Sequence, residues 1–129
     1  MRLTKYAGLI ATIAIAVAVS MTSLPAFAAS GTFKGINNHV ASGKVSVEKR
    51  GNGYVIVLAN SFKFDGAPDP RIAFGNNGKF AADTDFKPLK SNNGAQEYLV
   101  PASIDVSKYN EVQIWCRKFS VGLAIAKLK

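Results

Sequence analysis

The chain has 129 residues, with 16 Lys plus Arg against eight Asp plus Glu, a formal charge of +8, one His and one Cys. That length suits one domain. One Cys and one His exclude an internal disulfide, an iron–sulfur cluster and a zinc site built from the usual Cys and His ligands.

Residues 1–28 read as a secretory signal peptide. Arg2 and Lys5 form a basic n-region, and an apolar run extends from Tyr6 to Met21. Pro25 breaks that run, and Ala26-Phe27-Ala28 supplies the small-x-small pattern of a signal peptidase site. Cleavage is expected before Ala29. The run is shorter than the ~20 residues of a spanning helix, so no stable membrane span is expected after cleavage. No Cys lies near the cleavage point to carry a lipid. The expected product is an exported protein, periplasmic, bound in the cell envelope or extracellular.

Residues 29–129 then form the expected domain, with the charge reduced to +6 and neither Met1 nor Met21 retained. A blue-copper site wants two His, a Cys and an axial Met, which this stretch does not hold. The Cys-x-x-Cys-His pattern of c-type haem attachment is also missing, and no metal site is expected. Export argues against nucleic acid as a partner. The basic balance suits an anionic envelope or an acidic protein instead.

Along the domain, turn signals recur every eight to twelve residues. Val45 and Val47 alternate with Lys44, Ser46 and Glu48, the pattern of a half-buried strand. Arg50-Gly51-Asn52-Gly53 turns the chain into Tyr54–Leu58, which is apolar on both faces as an interior strand would be. Further turns fall at Asp65–Pro70, Gly75–Gly78 and Ser91–Gly94, with short strands expected at Arg71–Phe74, Phe86–Lys90 and Gln96–Val100. Ser103 to Tyr109 reads as one helical turn with Asp105 near its start. The sum is an all-β domain, an antiparallel β-sandwich with Greek-key-like connections.

The last third alternates clearly. Val112, Ile114 and Cys116 share one face of a strand, and Glu111, Gln113 and Trp115 share the other. The apolar parity then shifts to Phe119, Val121, Leu123 and Ile125, with small residues at Ser120, Gly122, Ala124 and Ala126. A slip of one residue predicts a bulge or corner at Arg117-Lys118, beside Cys116.

Several blocks together resemble the DM-thirteen domain family. They are Gly31-Thr32-Phe33, His39 through Val45, Phe64 through Pro70, Gly94 through Pro101, Tyr109 through Cys116, Phe119-Ser120-Val121 and Ala124 through Leu128. Ile114-Trp115-Cys116 followed by Phe119-Ser120-Val121 is the most specific part. One departure is Ala67, which stands between Gly66 and Pro68. The resemblance implies an exported β-rich module engaged in electron transfer. It also implies that the position matching the family's cysteine, Cys116, acts as a bare thiol or holds a prosthetic group such as haem. The partner would be a redox protein or a small oxidisable compound.

The residues themselves leave the role of Cys116 open. It reads as a buried inert thiol, a redox thiol, a haem or other cofactor ligand, or half of an intermolecular disulfide. Arg117 would favour a thiolate only if the expected bulge brings it round to the sulfur, and Trp115 would shield the site. His39 is a conceivable second axial ligand, or a surface turn residue. Asp65, Asp69, Asp83 and Asp85 read as turn aspartates rather than a calcium site, and no nucleophile-elbow pattern points to hydrolysis. Two functions follow. One is an exported redox module acting through Cys116; the other is a basic binding module in which Cys116 is structural.

Overall fold

The structure, a computed structural model, describes residues 28–129; the signal peptide expected at the N-terminus lies outside these residues apart from Ala28. Eleven short strands follow in chain order: β1 (Ala28–Gly35), β2 (Ala41–Ser42), β3 (Lys44–Arg50), β4 (Gly53–Leu58), β5 (Lys63–Phe64), β6 (Pro70–Asn76), β7 (Lys79–Phe80), β8 (Lys87–Pro88), β9 (Gln96–Leu99), β10 (Glu111–Cys116) and β11 (Val121–Lys127). Single 3₁₀ turns occupy Ala82–Thr84 and Val106–Lys108. In the second, the Asp105 side chain accepts the Ser107 N–H, an N-cap at the place where a helical turn was expected.

Nine strands make one antiparallel sheet in the order β7-β6-β10-β11-β1-β3-β4-β9, with β8 paired to β6 beside β7; β2 and β5 pair separately. The sheet is curled, and β1 is its corner. Ala28–Thr32 pair with β3, while Phe33–Gly35 pair with β11. Gly31 marks the bend, because a Cβ there would overlap the Lys127 carbonyl. The two halves so joined face each other across one core, the sandwich expected from the sequence closed along one side. The chain passes between halves from β4 to β6, from β8 to β9 and from β9 to β10.

Strand alternation builds that core. Val45 and Val47 of β3, Ile56 and Leu58 of β4 and Tyr98 of β9 meet Ile72 and Phe74 of β6 and Val112 and Ile114 of β10. All are buried. Each aliphatic side chain removed from water in this way contributes roughly 1.5–3 kcal/mol before the entropic cost of ordering it.

The turns are where their residues demand. Arg50 pairs with Gly53 across Gly51-Asn52, and Asn76 pairs with Lys79 across Asn77-Gly78. Asn77 and Gly78 both adopt positive φ, at 51° and 87°, which a two-residue turn of the mirror-image kind requires at both central positions.

Three expectations need correction. The strand expected over Phe86–Lys90 contracts to Lys87-Pro88, because Pro88 has no N–H to extend a ladder. Of the bulge or corner expected at Arg117-Lys118, the chain makes the corner, since these residues begin the hairpin turn between β10 and β11, but the bulge is not there. The register slip lies within β11, where partners jump from Ile114↔Ala124 to Trp115↔Gly122 and leave Leu123 unopposed. Both Leu123 and Ala124 are therefore buried. Beyond the slip the core-facing residues are Ala124 and Ala126 rather than Ile125, because small side chains fit where β1 crosses close to β11.

Candidate functional site

Cys116 ends β10, between Pro70 of β6 and Val121 of β11. Its thiol is free and its residue is 1% exposed. The turn that follows, 117–120, is held by a 3.4 Å bond from Ser120 N–H to the Arg117 carbonyl, with Ser120 at φ 51°. The Arg117 N–H reaches the Asp69 carbonyl at 3.1 Å, tying this turn to the loop before β6.

The first cation expected to serve the sulfur is engaged elsewhere. The Arg117 Nε donates to Asp85 Oδ2 at 3.1 Å, and the Arg71 Nε donates to Asp85 Oδ1 at 2.9 Å. The Asp85 side chain is 9% exposed, so the two guanidinium groups supply the pairing that a nearly buried carboxylate needs. The Lys118 ammonium lies over the Phe119 ring, 5.5 Å from its centroid. Phe119 itself is 61% exposed.

Trp115 points to the opposite face of the sheet from Cys116, as the alternation predicts. There it stacks flat on Phe80, with ring centroids 3.8 Å apart and planes 1° from parallel. Glu111 and Gln113 share that face and are also buried. The Gly78 N–H donates to both Glu111 oxygens, at 2.9 and 3.0 Å, and the Gln113 Nε2 donates to Glu111 Oε1 at 2.9 Å. The β6–β7 turn thus covers the outer face of β10, which neither the charge nor the amide suggested from sequence.

His39 belongs to the same end of the sheet as Cys116. The loop that carries it is fixed to the start of β11 by Ile36 N–H to the Leu123 carbonyl and by Asn37 Nδ2 to the Gly122 carbonyl. The His39 Nδ1 lies 3.0 Å from Asp65 Oδ1, and Asp65 Oδ2 accepts the Val40 N–H at 3.0 Å. The bond to His39, supported by the Val40 N–H, holds the Asp65 carboxyl below the usual carboxylate range. The His39 ring packs against Phe64. Three loops therefore converge at this end: residues 36–40, 65–69 and 117–120. The His39–Asp65 and Arg71–Asp85–Arg117 groupings join residues far apart in sequence and had no local signal.

The family described as Electron transfer DM13 matches residues 32–128. The chain belongs to the DM13 family. No curated protein and no solved structure matches it. The match contains every strand from β2 to β11, both His39 and Cys116, and confirms the family resemblance read from the sequence. A DM13 domain is an electron-transfer domain, which implies a redox partner.

The DM13 fold here does not suit a haem at Cys116. A pocket for such a group needs hundreds of Å³ of open space beside the ligand. The sulfur instead sits in a core where Ile72, Ile114 and Ala124 are all fully buried. His39, the conceivable second ligand, is held by Asp65 and Phe64. Among the described residues no group of three or more His, Cys, Asp or Glu side chains is placed to hold a metal ion. No helix among them is long and apolar enough to cross a membrane.

Proposed function

We propose that this chain is an exported electron-transfer module in which Cys116 acts as a bare thiol, exchanging with a disulfide-bearing partner. The observation that carries the reading is the placement of the sole thiol: it ends β10 directly beneath an exposed turn, inside the electron-transfer family match. Export rests on the basic, apolar and small-x-small order of residues 1–28.

Burial makes the exchange gated. The 117–120 turn has to lift before the sulfur meets another. The Cys116 thiol then gives its proton to solvent and its sulfur bonds to one sulfur of the partner. The partner's S–S bond breaks, and the second sulfur leaves as a thiolate with the electron pair. A low-molecular-weight thiol next attacks the Cys116 sulfur of the mixed disulfide, and the partner's first sulfur leaves as a thiolate. A second such thiol attacks the small molecule's sulfur, forming a small disulfide and releasing Cys116 as thiolate. Two electrons have then passed from the small thiols to the original disulfide.

A second reading is a basic binding module in which Cys116 is only core. Its 1% exposure favours that reading. The two separate with the processed protein purified from the exported fraction and treated with 5,5′-dithiobis(2-nitrobenzoate), a small aromatic disulfide. Local opening releases one thionitrobenzoate per folded chain, faster than global unfolding allows. Release only at the rate of global unfolding overturns the redox thiol and leaves the binding module. A Soret band in the same sample overturns the bare thiol in favour of a ligand. The mature N-terminus of that sample is expected at Ala29.

A further inference from the structure

The outer face of β1 and β11 forms a groove of about 880 Å³ that does not include Cys116. Lys34, Lys127 and Lys129 line it, with the hydroxyls of Ser30 and Thr32 between them. The register sets their order. Lys34 stands opposite Ile125, and Ser30 exchanges both backbone bonds with Lys129. The same register places Thr32 level with Lys127. Each successive rung, two residues along, thus carries one lysine. Rungs of a strand repeat about every 7 Å.

Among the described residues of the groove, no side chain neutralises these charges. Its carboxylate, Glu111, is buried and taken up by Gly78 and Gln113. Several cations elsewhere are engaged: Arg50 with Glu97, and Arg71 and Arg117 with Asp85. The lysine ladder is where positive charge of the domain collects in an ordered row.

We propose that this groove binds a linear phosphodiester polymer with a short polyol backbone, one phosphate to each lysine rung. The interval of about 7 Å is comparable with one extended three-carbon phosphodiester unit. The lining offers no aromatic ring on which nucleic-acid bases could stack, which separates this ligand from a single-stranded nucleic acid. β1 and β11 each have neighbours on both sides, so no free strand edge is offered to an acidic peptide. Binding by side chains alone suits a ligand whose charges, not its main chain, are recognised. The proposal is independent of the role of Cys116.

The test is binding of poly(glycerol phosphate) to the full chain, measured against salt concentration. The triple variant Lys34→Ser, Lys127→Ser, Lys129→Ser is expected to bind about tenfold more weakly or worse. The slope of log K against log[salt] should become shallower by about 2–3, an increment of roughly 0.7–0.9 for each phosphate no longer paired with a lysine. All three lysines are exposed, so the fold should hold. A control triple at exposed sites, Lys63→Ser, Lys87→Ser, Lys118→Ser, keeps the net charge equal and should retain most affinity. Equal weakening in the control overturns the groove in favour of diffuse charge. Tighter binding of oligo(dT) or polyglutamate of equal charge, abolished by the same three substitutions, overturns the polymer class.

Discussion

Trp115 lies flat on Phe80, and the stack joins the central strand β10 to the edge strand β7. Stacked rings contribute about 0.5–1.5 kcal/mol beyond the area they bury. Phe80 is half-buried, so Phe80→Ala is expected to cost about 2 kcal/mol in total, less than a fully buried Phe would. Trp115 is the sole tryptophan, which makes it a private reporter. The variant should shift its fluorescence to the red in the folded state, and urea unfolding followed at the same wavelength should give the lower midpoint. An unchanged emission maximum would show that Phe80 does not cover the indole.

Cys116 should respond differently to two substitutions of similar size. Cys116→Ala removes one buried sulfur and leaves a small void, expected to cost about 1 kcal/mol. Cys116→Ser places a hydroxyl where the neighbours are apolar, and an unsatisfied buried polar group costs about 1–3 kcal/mol. Serine should therefore be the more destabilising by urea denaturation. Alanine is the variant to use in any test of thiol chemistry, because its loss of exchange is not confounded by loss of fold. Equal stability of the two variants would mean that water reaches the site.

Asp65 ties His39 and Val40 to the loop before β6, and its carboxyl is held below the usual carboxylate range, chiefly by the His39 bond. A carboxyl with a folded pKa below its unfolded value binds fewer protons in the folded state. Stability from this group is present above the unfolded carboxylate pKa, near about 4, and is lost as pH falls through the lower folded value. Glu97, bonded to Arg50, acts in the same direction. Thermal midpoints measured from about pH 5 downward should fall, and Asp65→Asn should flatten part of that fall. A variant with the parent's acid dependence would remove Asp65 from the account.

The strand pattern of the last third was legible because alternation is a local property. Cys116 faces inward and Trp115 outward simply because neighbouring side chains on a strand oppose one another. The turns were legible for a similar reason, since Asn77-Gly78 and Gly51-Asn52 carry residues that tolerate positive φ. β1 was not. Its Ala-Ala-Ser-Gly-Thr opening has neither strand propensity nor alternation, and only pairing with β3 and β11 makes it a strand. The bulge at Leu123 was displaced from its expected place, since a change of apolar parity shows that one residue is extra but not on which side of the turn it falls.

From sequence alone came the all-β class, the lone thiol, the family and the inward face of Cys116, all of which follow from composition, period-2 patterning and short motifs. Tertiary structure decided what surrounds those residues. The Glu111 carboxylate is buried because Gly78, 33 residues earlier, folds over it. Arg117 is drawn from its neighbour Cys116 to Asp85, and His39 finds Asp65 across another loop. The lysine ladder exists only where β1 lies against β11. Such pairings are set by chain crossings between distant segments, and a local pattern carries no record of which segment will arrive.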